Sequence, residues 1–596
     1  MPMSFGLANK PVCDRRTSLR HRGRWWWLAG GLLGLGAGIW VVAGLRLYHD
    51  SQRARRLGSG IHRAFETKNW RRLNQQTAEL YRVLVTARAA LAEFSLVAPL
   101  PQVGGWYQSL DHLLQAGVVT TDAIRRVLPS VEHVWQPPHH GRMLVRARIW
   151  TALAEKLARA GPKLQSAGRY LEQVGEIPHI PSYPFLAWGQ REYQIGALAK
   201  AAPVLSKALG LTQSARYLML FQDSGELRAS GGFVAGYGFL NVKRGHLTIS
   251  HLGAIQGLSR SVEVGPPAPW TLHHFFGYRR LTLMNANLSP NVPTSSRMFE
   301  NLYNTAKGHR LLSGVLWVNT WMADRLLRLT GPISVNVGGH GLDLPPSNLA
   351  MEKIAYRYGS QGTRAVLGGI ARVLEEVVAH GSAAQQAALW KALEWGVQHQ
   401  DLILFSNNRE LEWWLARMGM SGSIDPSSGN FLEVVNDNFG AHKDNLYLQQ
   451  RLQITLPKTP RVGHRRSEII RLSYWLPRAA NGWLVVPYLG WISLYLPWGT
   501  KVVSVEGKTS SHTRVSNDRR LHKAIVGFEL RVPAFQDIQR NRETVTIHLA
   551  LPRSLKDPGD LTLGLQPGLR GEQVTVGGRT LWQDHLMRLR VSPRSG

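Results

Sequence analysis

The chain reads as a multidomain α+β protein, with an N-terminal transmembrane helix, a helical stalk, a central α/β domain and a C-terminal β-sandwich. Three observations predict this order. An uncharged run of 21 residues, Trp25 to Leu45, lies close to the N-terminus. Apolar residues then recur three and four apart as far as about Val174, which is the period of a helix. From about Arg216 the pattern changes to short apolar runs, first alternating with helical segments and finally separated only by Gly, Pro and Asn turns. A length of 596 residues leaves room for several cores of ordinary size.

The uncharged run would make a helix of about 31 Å, which matches a bilayer core of about 30 Å. Trp25, Trp26 and Trp27 at one end and Tyr48 at the other are suited to the membrane interfaces. Lys10, Arg15, Arg16, Arg20, Arg22 and Arg24 precede it, and Arg46, Arg53, Arg55 and Arg56 follow it. The denser charge of the short tail decides the expected orientation: a cytoplasmic tail over 1–24, a single span over 25–47 and an extracytoplasmic bulk. The expected location is therefore the cell membrane. A second uncharged stretch, Ala479 to Gly499, holds Asn481, Pro487, Gly490 and Pro497, and reads as strands rather than as a second span.

The expected stalk covers 48–209. Its helical stripes include Leu80, Leu84, Leu91 and Phe94, and later Ile149, Leu153 and Leu157, with breaks at Pro99, Pro101, Gly104-Gly105 and Pro137-Pro138. The prolines of Ile177 to Pro184 form a connector. In the central domain, 210–445, Tyr217 to Phe221, Phe233 to Val242 and Leu247 to Ser250 read as strands, the last two joined by a turn at Lys243-Arg244-Gly245. Gly314 to Val318 is a further strand, followed by a helix over Met322 to Leu329 that Asn319 or Thr320 caps and Gly331-Pro332 stops. A strand over Ile333 to Val337 and helices over Ala350 to Val378 and Glu410 to Met418 complete it. The β-sandwich is expected over 446–596, with strands in Leu452 to Leu456, Gly482 to Leu496, Val502 to Val505, Val545 to Leu549 and Leu561 to Leu565.

Lys and Arg number 71 against 39 Asp and Glu, a formal charge of +32. The tail over 1–24 carries six bases against one acid, Asp14, so +27 lies beyond it. Only 18% of residues are charged while 44% are hydrophobic, so this charge sits on folded domains and not on a disordered polycation. An anionic partner is implied. Nucleic acid suits the charge but not the membrane span, and no reader motif is present. The single Cys13 excludes an internal disulfide and any multi-cysteine metal site.

Motifs of familiar chemistry are missing: no H-E-x-x-H, no phosphate-binding Walker loop and no G-x-S-x-G. Gly231, Gly232, Gly236 and Gly238 lie between two strands, where no helix N-terminus could receive a pyrophosphate. His139-His140 and His273-His274 lack further ligands at metal spacing and read as surface histidines, so no metal site is expected. Of the 21 tryptophans, Trp317, Trp321, Trp413 and Trp414 stand at helix and strand spacing and read mainly as core. The distinctive stretch is Gln222 to Phe233, which directly follows an apolar strand. Asp223, Glu226 and Arg228 there stand beside the turn Ser230-Gly231-Gly232. Arg228 and the turn amides could surround an anion, or Glu226 and Arg228 could pair to fix the loop. A second polar cluster, Asn436, Asp437, Asn438, Lys443, Asp444 and Asn445, could hold a cation or sugar hydroxyls, or simply form turns at the entrance to a strand.

The stretch Tyr217 to Phe233 resembles the signature of the domain of unknown function 4012 family, found in bacterial envelope proteins. Asn285 to Thr294, Gly314 to Asn319 with Thr330-Gly331-Pro332, and Asn436 to Asn445 resemble it too. That family implies no settled activity. The order of elements is more distantly similar to the LytR-CpsA-Psr family, single-span enzymes that transfer polyprenyl-pyrophosphate-linked glycopolymers. Arg228 matches one arginine of that pattern. The chain departs from it at Ser230-Gly231-Gly232 and at His251-Leu252, where that family has aspartates that hold magnesium.

The expected function is binding of an anionic envelope component, a lipid-linked glycan or wall polymer, with candidate ligand-binding residues Asp223, Glu226, Arg228, Ser230, Gly231, Gly232 and Lys443. No cofactor is expected on this reading. The alternatives are a glycopolymer transferase, which would need magnesium, and a non-catalytic scaffold for other envelope proteins. Expected partners are the bilayer and the anionic glycan or lipid-linked intermediate.

Overall fold

The computed structural model describes residues 19–590 apart from 68, 102, 136–142, 176, 178–182, 209, 211–212, 245, 263–264, 307, 456–466, 478–485, 508–511, 534–541, 554, 556–559 and 571. For a few helical residues, chiefly 19–40 and 143–150, it describes the backbone alone. Residues 1–18 of the basic tail, His139-His140, Pro137-Pro138, most of the proline connector and Gly245 lie outside these residues. The chain forms two compact units, Met1–Pro203 and Val204–Gly596. The second holds both the expected α/β region and the expected β-sandwich.

The first unit is helical: α1 (Leu19–Glu66), α2 (Trp70–Ala92), α3 (Val103–Trp135), α4 (Met143–Glu172) and α5 (Tyr183–Ala201). The backbone of α1 runs helically through the apolar run at 25–47. Among the described residues, no helix is long and apolar enough to cross a membrane. Asn69 caps α2 by accepting from the Arg72 amide at 3.0 Å. Pro99 and Pro101 separate α2 from α3, but Gly104-Gly105, expected as part of the break, lies in the first turn of α3. There the terminal amides have no helical partner in any case, so glycine costs little.

Close approach joins α4 to α5. Gly161 and Gly168 on one helix face Gly196 and Gly189 on the other, each pair separated by seven residues. Seven residues are about two turns, so both glycines of a helix share a face. A Cβ at any of the four would stand 2.6 Å from the backbone oxygen of the glycine opposite. Beside this seam, Asp122 of α3 accepts from Arg126 at 3.0 Å and pairs with Lys163 of α4.

The second unit opens with a mixed five-stranded sheet in the order β3-β2-β1-β4-β7. Its strands are β1 (Ala215–Asp223), β2 (Phe233–Lys243), β3 (His246–Ala254), β4 (Gly314–Asn319) and β7 (Leu402–Ser406). The apolar run of β1 explains its central place: Leu218 and Leu220 are fully buried. It pairs antiparallel with β2 and parallel with β4. Asn319 caps the helix Thr320–Leu327, accepting from the Trp321 and Met322 amides at 3.1 and 3.2 Å. After it, β5 (Ile333–Val337) and β6 (His340–Leu344) form a hairpin. The helices Asn348–His380 and Arg409–Arg417 cover the two expected later segments.

Two six-stranded sheets follow. One has the order β13-β14-β11-β8-β16-β19, from β8 (Asn430–Asn438), β11 (Tyr488–Pro497), β13 (Thr513–Asp518), β14 (Lys523–Val532), β16 (Asp560–Leu563) and β19 (Met587–Arg590). The other has the order β12-β15-β10-β9-β17-β18. It is built from β9 (Gln449–Thr455), β10 (Ser467–Trp475), β12 (Lys501–Glu506), β15 (Arg542–Ala550), β17 (Glu572–Val576) and β18 (Arg579–Gln583). Between them lies a core of alternating residues that includes Leu472, Tyr474, Ile492, Phe528 and Ile547. The uncharged stretch at 479–499 contains β11 rather than a helix.

The β region starts earlier than residue 446. Strand β8 is buried along its whole length although it ends Asn436-Asp437-Asn438. Those residues look like turn formers in sequence, but here each side chain finds a hydrogen-bond partner, which offsets the usual cost of burying polar groups.

Candidate functional site

The loop between β1 and β2 carries most of the residues singled out by sequence. It is a sequence of tight turns: the Gly231 amide donates to the Arg228 carbonyl at 2.9 Å, and the Phe233 amide to the Glu226 carbonyl at 2.7 Å. Gly231 and Gly232 have φ of 129° and 151°, a region that side chains disfavour. A Cβ on Gly232 would also collide with the Asp223 carbonyl. Around the turn, Gln222 Nε2 donates to Ser230 Oγ at 3.1 Å, Ser224 Oγ to the Gly231 carbonyl at 3.1 Å, and Asn287 Nδ2 to the Gly232 carbonyl at 2.7 Å.

Lys443 reaches this loop from the segment after β8. Its Nζ donates to Asp223 Oδ2 and, at 3.2 Å, to Glu226 Oε2, while Glu352 Oε2 stands at 3.9 Å. Arg228 Nη2 donates to Glu226 Oε1 at 2.9 Å, and its Nη1 donates to the Asn438 carbonyl. Glu226 therefore bridges the two cations. The rings of Phe439, Phe276 and Phe233 stand 5.2, 5.7 and 5.8 Å from the guanidinium carbon.

All seven sequence-predicted residues thus share one site, together with most of the second polar cluster. Asp437 Oδ1 accepts from the Ala229 amide at 2.8 Å, and Asn445 Oδ1 from the Leu227 amide at 3.1 Å. Asp444 Oδ1 accepts from the Val486 amide at 3.1 Å. These groups act as partners for loop backbone.

The electrostatics follow from this enclosure. Burial pushes the Asp223 carboxyl up, but Lys443 beside it outweighs this and holds it below its ordinary value. Burial pulls the Lys443 ammonium down, and Asp223, Glu352 and Glu226 more than reverse this. Burial, reinforced by the Asp223 charge, drives the Glu352 carboxyl well above its ordinary value. Burial pushes Asp437 up to about 7 against the pull of Arg228. The two cations are thus paired with Asp223 and Glu226, which offset their charge.

This differs from an open anion site. Arg228 is 1% exposed, and an incoming anion would have to displace Glu226 from it. The geometry clasps the β1–β2 loop onto β8. Sequence reasoning missed two members, Glu352 and Gln566. Gln566 Nε2 donates to the carbonyls of Arg228 and Asn436 at 3.1 and 2.8 Å. Both come from remote segments with no local motif, so no spacing could have pointed to them.

The cationic excess lies elsewhere. Among the described residues thirteen acids are buried but only two bases, Arg228 and Lys523, although the chain has 71 bases and 39 acids. Strand alternation does the sorting in the sheet of β9, β10 and β15. Glu468, Glu543 and Glu572 point inward and are buried. Arg451, Arg471 and Arg542 point outward and are exposed. Register sets Trp475 opposite Arg542, and the guanidinium carbons of Arg542 and Arg451 stand 4.9 and 5.8 Å from its ring centre. Ser473, Gln453 and Thr544 fill the space between them on the same face. Burial also pushes Glu468 and Glu572 up to about 7, so part of the formal negative charge is neutralised inside.

Comparison with curated proteins and with solved structures gives no match. Residues 212–352, which carry β1 to β6 and the Asp223–Gly232 loop, match the model of a family described as a protein of unknown function, DUF4012. Lys443, the cation that closes the cluster, lies beyond the matched residues, and over 212–352 the chain carries the DUF4012 domain.

Proposed function

We propose that the protein is held in a membrane by the helix through 25–47 and that its extracytoplasmic part binds an anionic cell-envelope polymer on the outer face of β9, β10 and β15. The observation that carries this reading is the sorting of charge: acids inside, arginines outside, around an indole on a sheet face. Guanidinium groups pair with phosphate or carboxylate through planar forks, and Trp475 offers a flat surface to a sugar ring. The run of Ser, Thr and Gln between them suits hydroxyl groups. The Arg228 loop enters this reading as the clasp that joins the DUF4012 domain to β8, not as the ligand pocket.

The test uses full-length protein in detergent, labelled poly(glycerol phosphate) as probe and neutral dextran as control. The polyanion binds, and its affinity falls steeply with added salt as counterions compete. The triple variant R451Q/R471Q/R542Q loses at least about tenfold in affinity, on the order of 0.5 kcal/mol per exposed arginine. Binding equal to that of dextran, or unchanged in the triple variant, overturns the reading. Cleavage of the β-sandwich by protease added only from the cytoplasmic side overturns the orientation.

A further inference from the structure

We propose that His274, His512 and Glu529 form a binding site for a divalent transition-metal ion of the zinc class. Each comes from a different segment. His274 lies in the helix Trp270–Phe276 and stacks on Trp270 with ring centres 4.5 Å apart. His512 stands just before β13, and the Glu529 amide donates to its carbonyl at 3.1 Å, so strand pairing sets it beside Glu529 on β14. The three side chains have ligand atoms within 4.8 Å of one another.

The orientation of the carboxylate is specific. Glu529 Oε1 accepts from Arg531 Nε at 2.7 Å, which leaves Oε2 facing both imidazoles. His274 Nε2 stands 3.4 Å from Oε2, and His512 Nδ1 stands 3.3 Å from it. Tetrahedral zinc with bonds of about 2.0–2.1 Å separates its ligand atoms by about 3.3–3.4 Å. Two edges of the polyhedron are thus already present, and a small rotation of one exposed ring closes the third.

Exposure supports the same reading. Glu529 is buried, with 6% of its side chain exposed, while His274 and His512 are open to solvent at 30% and 49%. A cation can enter from the histidine side and find a fixed anionic ligand at the base. Two imidazoles and one carboxylate leave a fourth position for water, and this donor set suits zinc, nickel or iron(II) more than magnesium or calcium. Arg531 serves the site by orienting the carboxylate, as outer-shell partners of metal ligands do. Arg514, stacked over Trp270 at 3.8 Å, borders it. The site lies on the other sheet from the Arg451, Arg471 and Arg542 face and does not depend on polymer binding.

Full-length protein in detergent is stripped with chelator, equilibrated with zinc chloride, desalted and assayed for metal by mass spectrometry. Wild type retains one zinc per chain. H274A, H512A and E529Q each bind at least about tenfold more weakly, since disturbing even an outer-shell partner costs that much. H380A, which removes an exposed histidine paired with only one carboxylate, retains the wild-type amount. As a measurement that needs no variant, zinc protects His274 and His512 of wild type from diethylpyrocarbonate. Wild type that retains no zinc, triad variants that retain as much as wild type, or two histidines modified equally with and without zinc would each show a hydrogen-bonded triad only and overturn the proposal.

Discussion

Asp223 and Lys443, 220 positions apart in the chain, form an ion pair inside the second unit. Asp223 ends β1 and Lys443 stands five residues beyond the end of β8, so the pair ties the five-stranded sheet to the β region. Such a contact is costly to break from one side. Removing one partner of a buried pair leaves the other charge without water or counter-charge.

Lys443→Met is therefore expected to destabilise the second unit by about 3–5 kcal/mol, because Asp223 and Glu226 lose their shared cation. The double variant K443M/D223N loses less than K443M alone. Denaturant unfolding of full-length protein in detergent measures both, and a K443M chain as stable as wild type would rule out the clasp.

Arg228 and the basic face are expected to separate cleanly. Arg228→Met lowers the unfolding midpoint yet leaves affinity for poly(glycerol phosphate) within about twofold once the chain is folded, because no anion reaches a buried, paired guanidinium. R451Q/R471Q/R542Q does the reverse, as exposed arginines contribute little to stability. Paired melting and binding curves for the two variants decide this, and a loss of affinity in a folded R228M chain would return the binding site to the loop.

Glu433 on β8 gives a pH dependence of known sign. Burial raises its carboxyl to about 8 in the folded state, against about 4.3 in an unfolded chain. Between those values the folded state holds a proton that the unfolded state has released, so stability falls as pH rises through that window. The slope from this group is on the order of 1 kcal/mol per pH unit. Glu433→Gln should flatten the stability profile between mildly acidic and mildly alkaline pH and should stabilise the protein at the alkaline end. Identical profiles for wild type and variant would contradict the assignment.

The glycine seam of the first unit predicts a steric effect. Gly161→Val puts a branched side chain where the Gly196 carbonyl and Lys200 already stand. Forcing α4 and α5 apart should cost about 1–3 kcal/mol. Gly58→Val is the control: an added Cβ at this position in α1 meets nothing within 4 Å, so the midpoint should change little beyond helix propensity. Equal effects from the two would argue against the close crossing.

Much of the candidate cluster was legible in sequence, for a physical reason. Asp223, Glu226 and Arg228 directly follow an apolar strand, and charges there must be paired or face solvent. Ser230-Gly231-Gly232 announces a backbone that only glycine tolerates. What stayed hidden was which outcome holds, because burial of Arg228 depends on Lys443, Glu352 and Gln566 arriving from other elements. Strand β8 was hidden likewise: Asn436-Asp437-Asn438 looks like a turn until Gln566, Tyr474 and the loop amides supply partners.

Local period, caps and contiguous motifs were enough to establish the mixed α+β class, the helical start, the β-rich end, a helix capped at Asn319 or Thr320 and the DUF4012 resemblance. Where the charge goes was settled by packing between distant elements. Alternation along a strand says that Arg542 and Glu543 face opposite ways, but not which face is covered. Only the stacking of the two sheets buries Glu468, Glu543 and Glu572 and leaves the arginines in water. The same holds for His274, His512 and Glu529, which no spacing joins: the pairing of β13 with β14 sets His512 beside Glu529, and the helix Trp270–Phe276 brings His274 to the same carboxylate.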